Sequence, residues 1–135
     1  MSWRALAVLG LTLAGAAHAA PGAASSPAPT YDRPRPERLV AGNPLRTTWE
    51  HFLSTTGDLS AGVWACEPGA WNIAFAPGKD EFFCVIDGRI RITDSAGAAA
   101  EFGPGQAGII PSGFAGRFEV LESVRKYYVL IERAA

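Results

Sequence analysis

Histidine and cysteine are both scarce in this chain, with two of each. A transition metal wants several imidazole, thiolate or carboxylate donors around it, and His18 and His51 cannot supply such a set. Cys66 and Cys84 allow at most one disulfide; an oxidising compartment would permit it, but both also suit buried thiols packing as small hydrophobes. Neither cysteine has a matching base for nucleophilic catalysis. Charge excess is missing too: a net charge of −1 argues against a nucleic-acid partner held through phosphate contacts. Internal repeats of solenoid period are absent.

Long apolar runs are also lacking, apart from one at the start. Met1-Ser2-Trp3-Arg4 is a short cationic opening, Ala5 to Ala16 is apolar but short for a bilayer span, and Ala17-His18-Ala19 gives a small-x-small cleavage pattern. Residues 1–19 are therefore expected to be a cleaved export signal, leaving a periplasmic or secreted protein with no membrane association once processed. Residues 20–37, with the Pro-rich run Pro21 to Pro36, are expected to be a disordered linker because they offer little to bury. Residues 38–135 are then the folded domain, and 135 residues in total leave room for only one.

Within that domain, 15 glycines and 10 prolines in the chain punctuate short runs of strand-forming residues, which predicts an all-β fold. Strands are expected over Arg46 to Leu53, Ser60 to Cys66, Trp71 to Phe75, Ala98 to Phe102, Ala107 to Ile110, Arg117 to Leu121 and Lys126 to Glu132. If Arg46 to Leu53 is a strand, His51 shares a face with Trp49 and Leu53 and reads as a surface or packing residue.

The central stretch is Asp80 to Thr93, DEFFCVIDGRIRIT. After Gly88 it alternates, with Ile90 and Ile92 on one face and Arg89, Arg91 and Thr93 on the other. Before Gly88 the run Phe82 to Ile86 is continuously apolar, as in a strand covered on both faces. Asp87-Gly88 between the two runs predicts a hairpin turn. Glu81 is the exception, a carboxylate at the mouth of an apolar strand that must accept hydrogen bonds, reach a rim or meet a cation. Asp80 and Glu81 are adjacent and so point to opposite faces, which argues against a shared acid/base site.

These residues carry a resemblance. The spacing E-x6-G from Glu81 to Gly88, and Gly105, Pro111 and Gly113 within GPGQAGIIPSGFAG, resemble the two cupin motifs. The small cupins related to the ureidoglycine aminohydrolase cupin domain are more similar still. Their pattern reads here as Trp64 to Trp71 (WACEPGAW), Glu81-Phe82, Pro111 to Gly116 and Arg125 to Tyr128 (RKYY), within Arg38 to Glu132. The resemblance implies a double-stranded β-helix, the cupin jelly roll. It also implies a metal site of three histidines and a glutamate. Carried over, the histidine positions fall on Ala74 and Ala76 or Phe75 and Pro77, and on Gly116; only Glu81 matches. No metal or other cofactor is expected.

What remains for a pocket is aromatic and polar. Trp64, Trp71, Phe83 and Tyr128 are expected to line or close the barrel, with Glu81, Arg91 and Arg117 supplying charge, to hold a small polar metabolite. The same aromatics could instead simply fill a small barrel. Two further readings stand beside this one: a carbon–nitrogen hydrolase of the ureidoglycine aminohydrolase type with Glu81 as catalytic group, and a homodimeric interaction module built on an edge strand such as Arg46 to Leu53.

Overall fold

The structure, a computed structural model, describes residues 27–134. The signal expected over residues 1–19 and the first part of the expected linker lie outside them. Nine strands form one curled antiparallel sheet: β1 Thr30–Asp32, β2 Leu39–Ala41, β3 Arg46–Leu53, β4 Leu59–Cys66, β5 Gly69–Ala74, β6 Lys79–Asp94, β7 Ala99–Phe102, β8 Ala107–Ile110 and β9 Ala115–Glu132. The architecture is all-β and consistent with a jelly roll, with a single 3₁₀ turn at Pro36–Arg38 among the described residues.

Two long strands, β6 and β9, are the spine. They pair along almost their whole lengths, from Lys79↔Glu132 to Asp94↔Gly116. The other edge of β9 pairs first with β5 (Ala74↔Ala115 to Gly69↔Val120) and then with β4 (Cys66↔Val124 to Leu59↔Ile131). The other edge of β6 pairs with β8 over Glu81 to Cys84 and with β7 over Ile90 to Thr93. Each long strand bridges two shorter partners, and the sheet curls about this spine.

The sequence expectation of two separate strands on either side of Asp87-Gly88 is corrected here: β6 runs straight through. Gly88 has φ +83°, and the register with β9 shifts between Val85, Asp87, Arg89 and Ile90. Asp87-Gly88 is thus a bulge, which shares with a hairpin turn the need for a glycine at positive φ. A Cβ at residue 88 would lie 2.1 Å from the Ser123 carbonyl oxygen, so the opposing backbone leaves no room for a side chain. The bulge switches the inward phase of β6. Phe83 and Val85 are buried before it, and Ile90 and Ile92 after it. Likewise, Arg117 to Leu121 and Lys126 to Glu132 are parts of one strand, β9.

The core consists of Phe83, Val85, Ile90, Ile92, Phe102, Ile110, Phe118, Val120 and Val124 with their neighbours. Full burial of each large apolar side chain contributes about 1.5–3 kcal/mol. Phe82 is 46% exposed, so the run Phe82 to Ile86 is covered on one face, not two. Cys66 and Cys84 are both free thiols. Burial pushes the Cys66 thiol up to about 12.

Part of the segment expected as linker is folded. Strand β1 pairs with β3 (Thr30↔Thr48 to Asp32↔Arg46), Pro34 is buried, and the turn at Pro36–Arg38 leads into β2. Composition suggested a tail because prolines and small polar residues bury little. Here the edge of β3 provides backbone partners that composition does not reveal. β1 covers only the first part of that edge. On β3, Glu50 opposes Gly62 and Phe52 opposes Ala61, leaving exposed His51 as the extra residue of a bulge.

Candidate functional site

The inward residues of β3, β4, β9, β6 and β8 follow from the register. One cross-strand row is Ser60, Leu130, Glu81 and Ile110; the next contains Glu50, Tyr128 and Phe83; a third contains Thr48, Trp64, Lys126 and Val85. They surround a pocket of about 620 Å³, closed on its other sides by β5 and by the segment around Arg35 and Arg38.

At its floor lies a buried ion pair. The Lys126 Nζ donates to Glu81 Oε2 at 2.7 Å, with the lysine side chain 5% exposed and the glutamate 15%. The two are not direct cross-strand partners: Glu81 opposes Leu130 and Lys126 opposes Val85, with Phe83↔Tyr128 between them. The lysine stem spans that gap. Its ammonium lies 4.5 Å from the Trp64 ring centroid, 4.9 Å from Phe118 and 5.1 Å from Phe83. Three aromatic faces and a carboxylate thus surround the ammonium. Trp64 meets Phe118 edge-on at 5.7 Å and Trp71 at 6.2 Å, so the cage walls hold one another.

Tyr128 also lines the pocket. Burial first, then the Glu50 and Glu81 carboxylates, raise its phenol above the ordinary value of 10.0, keeping a neutral O–H available at neutral pH. Nearer the mouth, Arg46 donates through Nε and Nη2 to both carboxylate oxygens of Asp32, at 2.8 and 2.6 Å, and stacks 5.3 Å from the Trp71 ring centroid. Lys79 lies 4.6 Å from the Phe75 ring centroid.

Of the residues expected to bind a ligand, Trp64, Trp71, Glu81 and Tyr128 converge on this pocket. Phe83 is fully buried beneath it. Arg91 and Arg117 are elsewhere: the Gly88 bulge reverses the facing of that half of β6, and Arg117 alternates with inward-facing Phe118 on β9. Arg91 binds Glu101 (2.7 Å) and approaches Glu119 (3.7 Å) outside the barrel, and Arg117 is exposed. Lys126 escaped the sequence reading, although it shares a strand face with Tyr128 two residues on, which was the available signal. Arg35, Arg38 and Arg46 were missed as well, Arg35 because it fell within the supposed linker and Arg38 because it stood at the first position of the expected domain. Asp80 and Glu81 do diverge. Asp80 accepts from the Ser112 backbone N–H (2.8 Å) and from Arg133 Nη1 (2.6 Å), which hold its carboxyl below the usual value of 3.8.

A cupin-type metal does not fit these residues. The carboxylate of Glu81 is already engaged by an ammonium, and the other positions carry no donor side chain. A Cβ on Gly116 would lie 2.1 Å from the Thr93 carbonyl oxygen. Among the described residues no group of three or more His, Cys, Asp or Glu converges. Nor is any helix among them long and apolar enough to cross a membrane.

Comparison with solved structures agrees with this architecture. A protein of unknown function from Pseudomonas syringae pv. tomato superposes with a TM-score of 0.68 at 22% identity, over 76% of this chain and 44% of that one. The present chain therefore spans less than half of that relative. The Clostridium difficile EutQ protein matches with a TM-score of 0.58 at 25% identity, over 70% of this chain and 75% of that one. Ectoine synthase from P. lautus, at 14% identity, a TM-score of 0.57 and coverage of 67% and 66%, shares the fold alone. No curated protein matches the chain. The EutQ-like cupin domain model matches residues 53–128, more than half of the sequence, and the chain belongs to that cupin family.

Proposed function

We propose that this protein is an exported cupin that binds a small polar metabolite in its barrel and uses no metal to do so. The observation that carries the reading is the Glu81–Lys126 pair on the floor of the pocket, 2.7 Å apart and ringed by aromatic faces. The pair puts a carboxylate acceptor beside an ammonium donor, so a neutral ligand group able both to donate and to accept would match it. The Trp64 and Trp71 rings provide apolar wall, and the Tyr128 hydroxyl adds a further polar contact.

The test is titration calorimetry of the processed protein against small amides, ureides, hydroxy acids and sugars, run in parallel on Glu81→Gln/Lys126→Met. Saturable binding to the wild type that is lost in the folded double variant supports the reading; identical titrations for the two proteins reject it. A carbon–nitrogen hydrolase of the ureidoglycine aminohydrolase type would use the same carboxylate. It requires turnover of a ureide that Glu81→Gln abolishes, and the salt bridge that occupies Glu81 weighs against it.

A homodimer is a second reading, favoured by one observation. Phe52, Ala61, Val129, Phe82 and Ile109 form a continuous cross-strand row on the outer face, and Phe52, Phe82 and Ile109 in it are exposed. A second copy laid on this face would cover side chains that water solvates poorly. Sedimentation showing a concentration-independent monomer rejects that arrangement.

A further inference from the structure

We infer that the segment Asp32 to Arg38, which precedes the family-matched region, is an anion-reading rim, and that the ligand of this pocket is a small monocarboxylate. The inference rests on the pocket-binding reading above and adds the chemical class of the ligand.

The argument is one of charge that remains after internal pairing. Arg46 is neutralised by both oxygens of Asp32, and Lys126 by Glu81. The other charges on the lining are Arg35, Arg38 and Lys79, set against Glu50. Among the described residues neither the Arg35 nor the Arg38 side chain makes an ion pair, and Arg38 is half-buried. Their backbones are set by the turn, in which the Arg38 N–H donates to the Arg35 carbonyl at 2.9 Å. Buried Pro34, the β1–β3 ladder and the Asp32–Arg46 clamp then fix the turn to the barrel wall. Two arginines on the lining of a pocket, exposed Arg35 and half-buried Arg38, with no ion pair of their own, suit the planar fork geometry of a carboxylate. Glu50 on the same lining disfavours a doubly charged phosphate, which would bring like charge closer. The pocket thus has two distinct ends: a cationic rim for a carboxylate, and a floor of net zero charge for an amide, hydroxyl or carbonyl group. Residues 53–128, which define the family, contain the floor but not the rim. Members sharing the floor need not share the ligand.

The experiment uses matched pairs of small compounds, each an amide or hydroxy compound presented once as its carboxylate and once as its neutral carboxamide. N-acetylglycine with N-acetylglycinamide and lactate with lactamide are two such pairs. Affinities are measured by tryptophan fluorescence on the wild type, Arg35→Ala/Arg38→Ala and Lys126→Met, with circular dichroism to verify folding. The carboxylates are expected to bind more tightly than their amides, to lose about tenfold or more in affinity in the double arginine variant, and to weaken with added salt. The amides are expected to be unmoved by the arginine substitutions. If carboxylate and amide bind alike and respond only to Lys126→Met, the pocket reading stands and the rim inference falls. If neither series binds the wild type, the pocket reading falls and takes the rim with it.

Discussion

The two ends of the β6–β9 ribbon differ: the half around Ile90 and Phe118 buries apolar residues and leaves charges outside, whereas the half around Glu81 and Lys126 reverses that arrangement. Neighbouring residues on one strand, Glu81 and Phe82, have opposite fates: the charged side chain is 15% exposed inside the barrel, and the aromatic residue is 46% exposed outside. On the facing strand Lys126 is 4% exposed and Tyr127 56%. An antiparallel sheet ordinarily places apolar residues inward and polar ones outward. Here the interior has taken on the cost of desolvating an ion pair, while the exterior keeps aromatic surface in water. A buried ion pair is weak evidence for stability, since apolar replacements are often as good. The proposed ligand site rests on the inner face of this region and the proposed dimer contact on the outer one.

The comparison can be broken most forcefully from inside. Lys126→Met leaves the Glu81 carboxylate without its cation in a buried site, and should cost about 3–5 kcal/mol. Adding Glu81→Gln should restore more than half of the loss, because both members of the pair are then neutral. Chemical denaturation of the three variants measures this, and a double variant no more stable than the single one would mean that the pair itself holds the fold together. Gly116→His, which supplies an imidazole where metal-binding cupins carry one, puts its Cβ against the Thr93 carbonyl oxygen. It should cost about 2–3 kcal/mol and bind no equivalent of zinc. Elemental analysis finding one zinc per chain in that variant would show that the inner face is closer to a metal site than its geometry suggests.

Outer substitutions should do far less to the fold. Phe82→Asp is expected to change monomer stability by about 0.5 kcal/mol or less, while weakening self-association in sedimentation velocity. Unaltered association would remove the outer face from consideration as a dimer contact. The smallest expected effect is at Asp80, which shares that outward phase. Its carboxyl is held below the usual 3.8 by the Ser112 N–H and then by Arg133, so the folded state favours the charged form. The stabilisation is complete above the unfolded value and is lost as pH falls through the lower folded value. Asp80→Asn should lower stability at neutral pH by this lost contribution and converge on the wild type below about pH 4, which flattens the acid limb of the stability curve. An acid limb identical to that of the wild type would assign it to other carboxylates.

Strand positions were legible to within a residue or two wherever turn chemistry bounded them. β3 and β8 have the limits that their β-branched and apolar patterns imply. The Ile90/Ile92 phase was legible as well. Asp87-Gly88 was misleading because a hairpin and a bulge make the same local demand for positive φ, and only the approach of Ser123 distinguishes them. The apolar run before Gly88 likewise says that a strand is present, but not whether its outer face is covered.

The all-β class, the cupin resemblance and the lack of a histidine set could be read from residue types and spacing alone, and of the residues expected at a pocket, Trp64, Trp71, Glu81 and Tyr128 line the one described. The partner of Glu81 came from the fold. Lys126 is 45 positions away and is not its cross-strand neighbour, so the pair exists through barrel curvature and the length of a lysine stem. The fold likewise brings Asp32, Pro34, Arg35 and Arg38 to the pocket. Their order comes from the open edge of β3, and no local property of a Pro-rich segment encodes where such an edge will be.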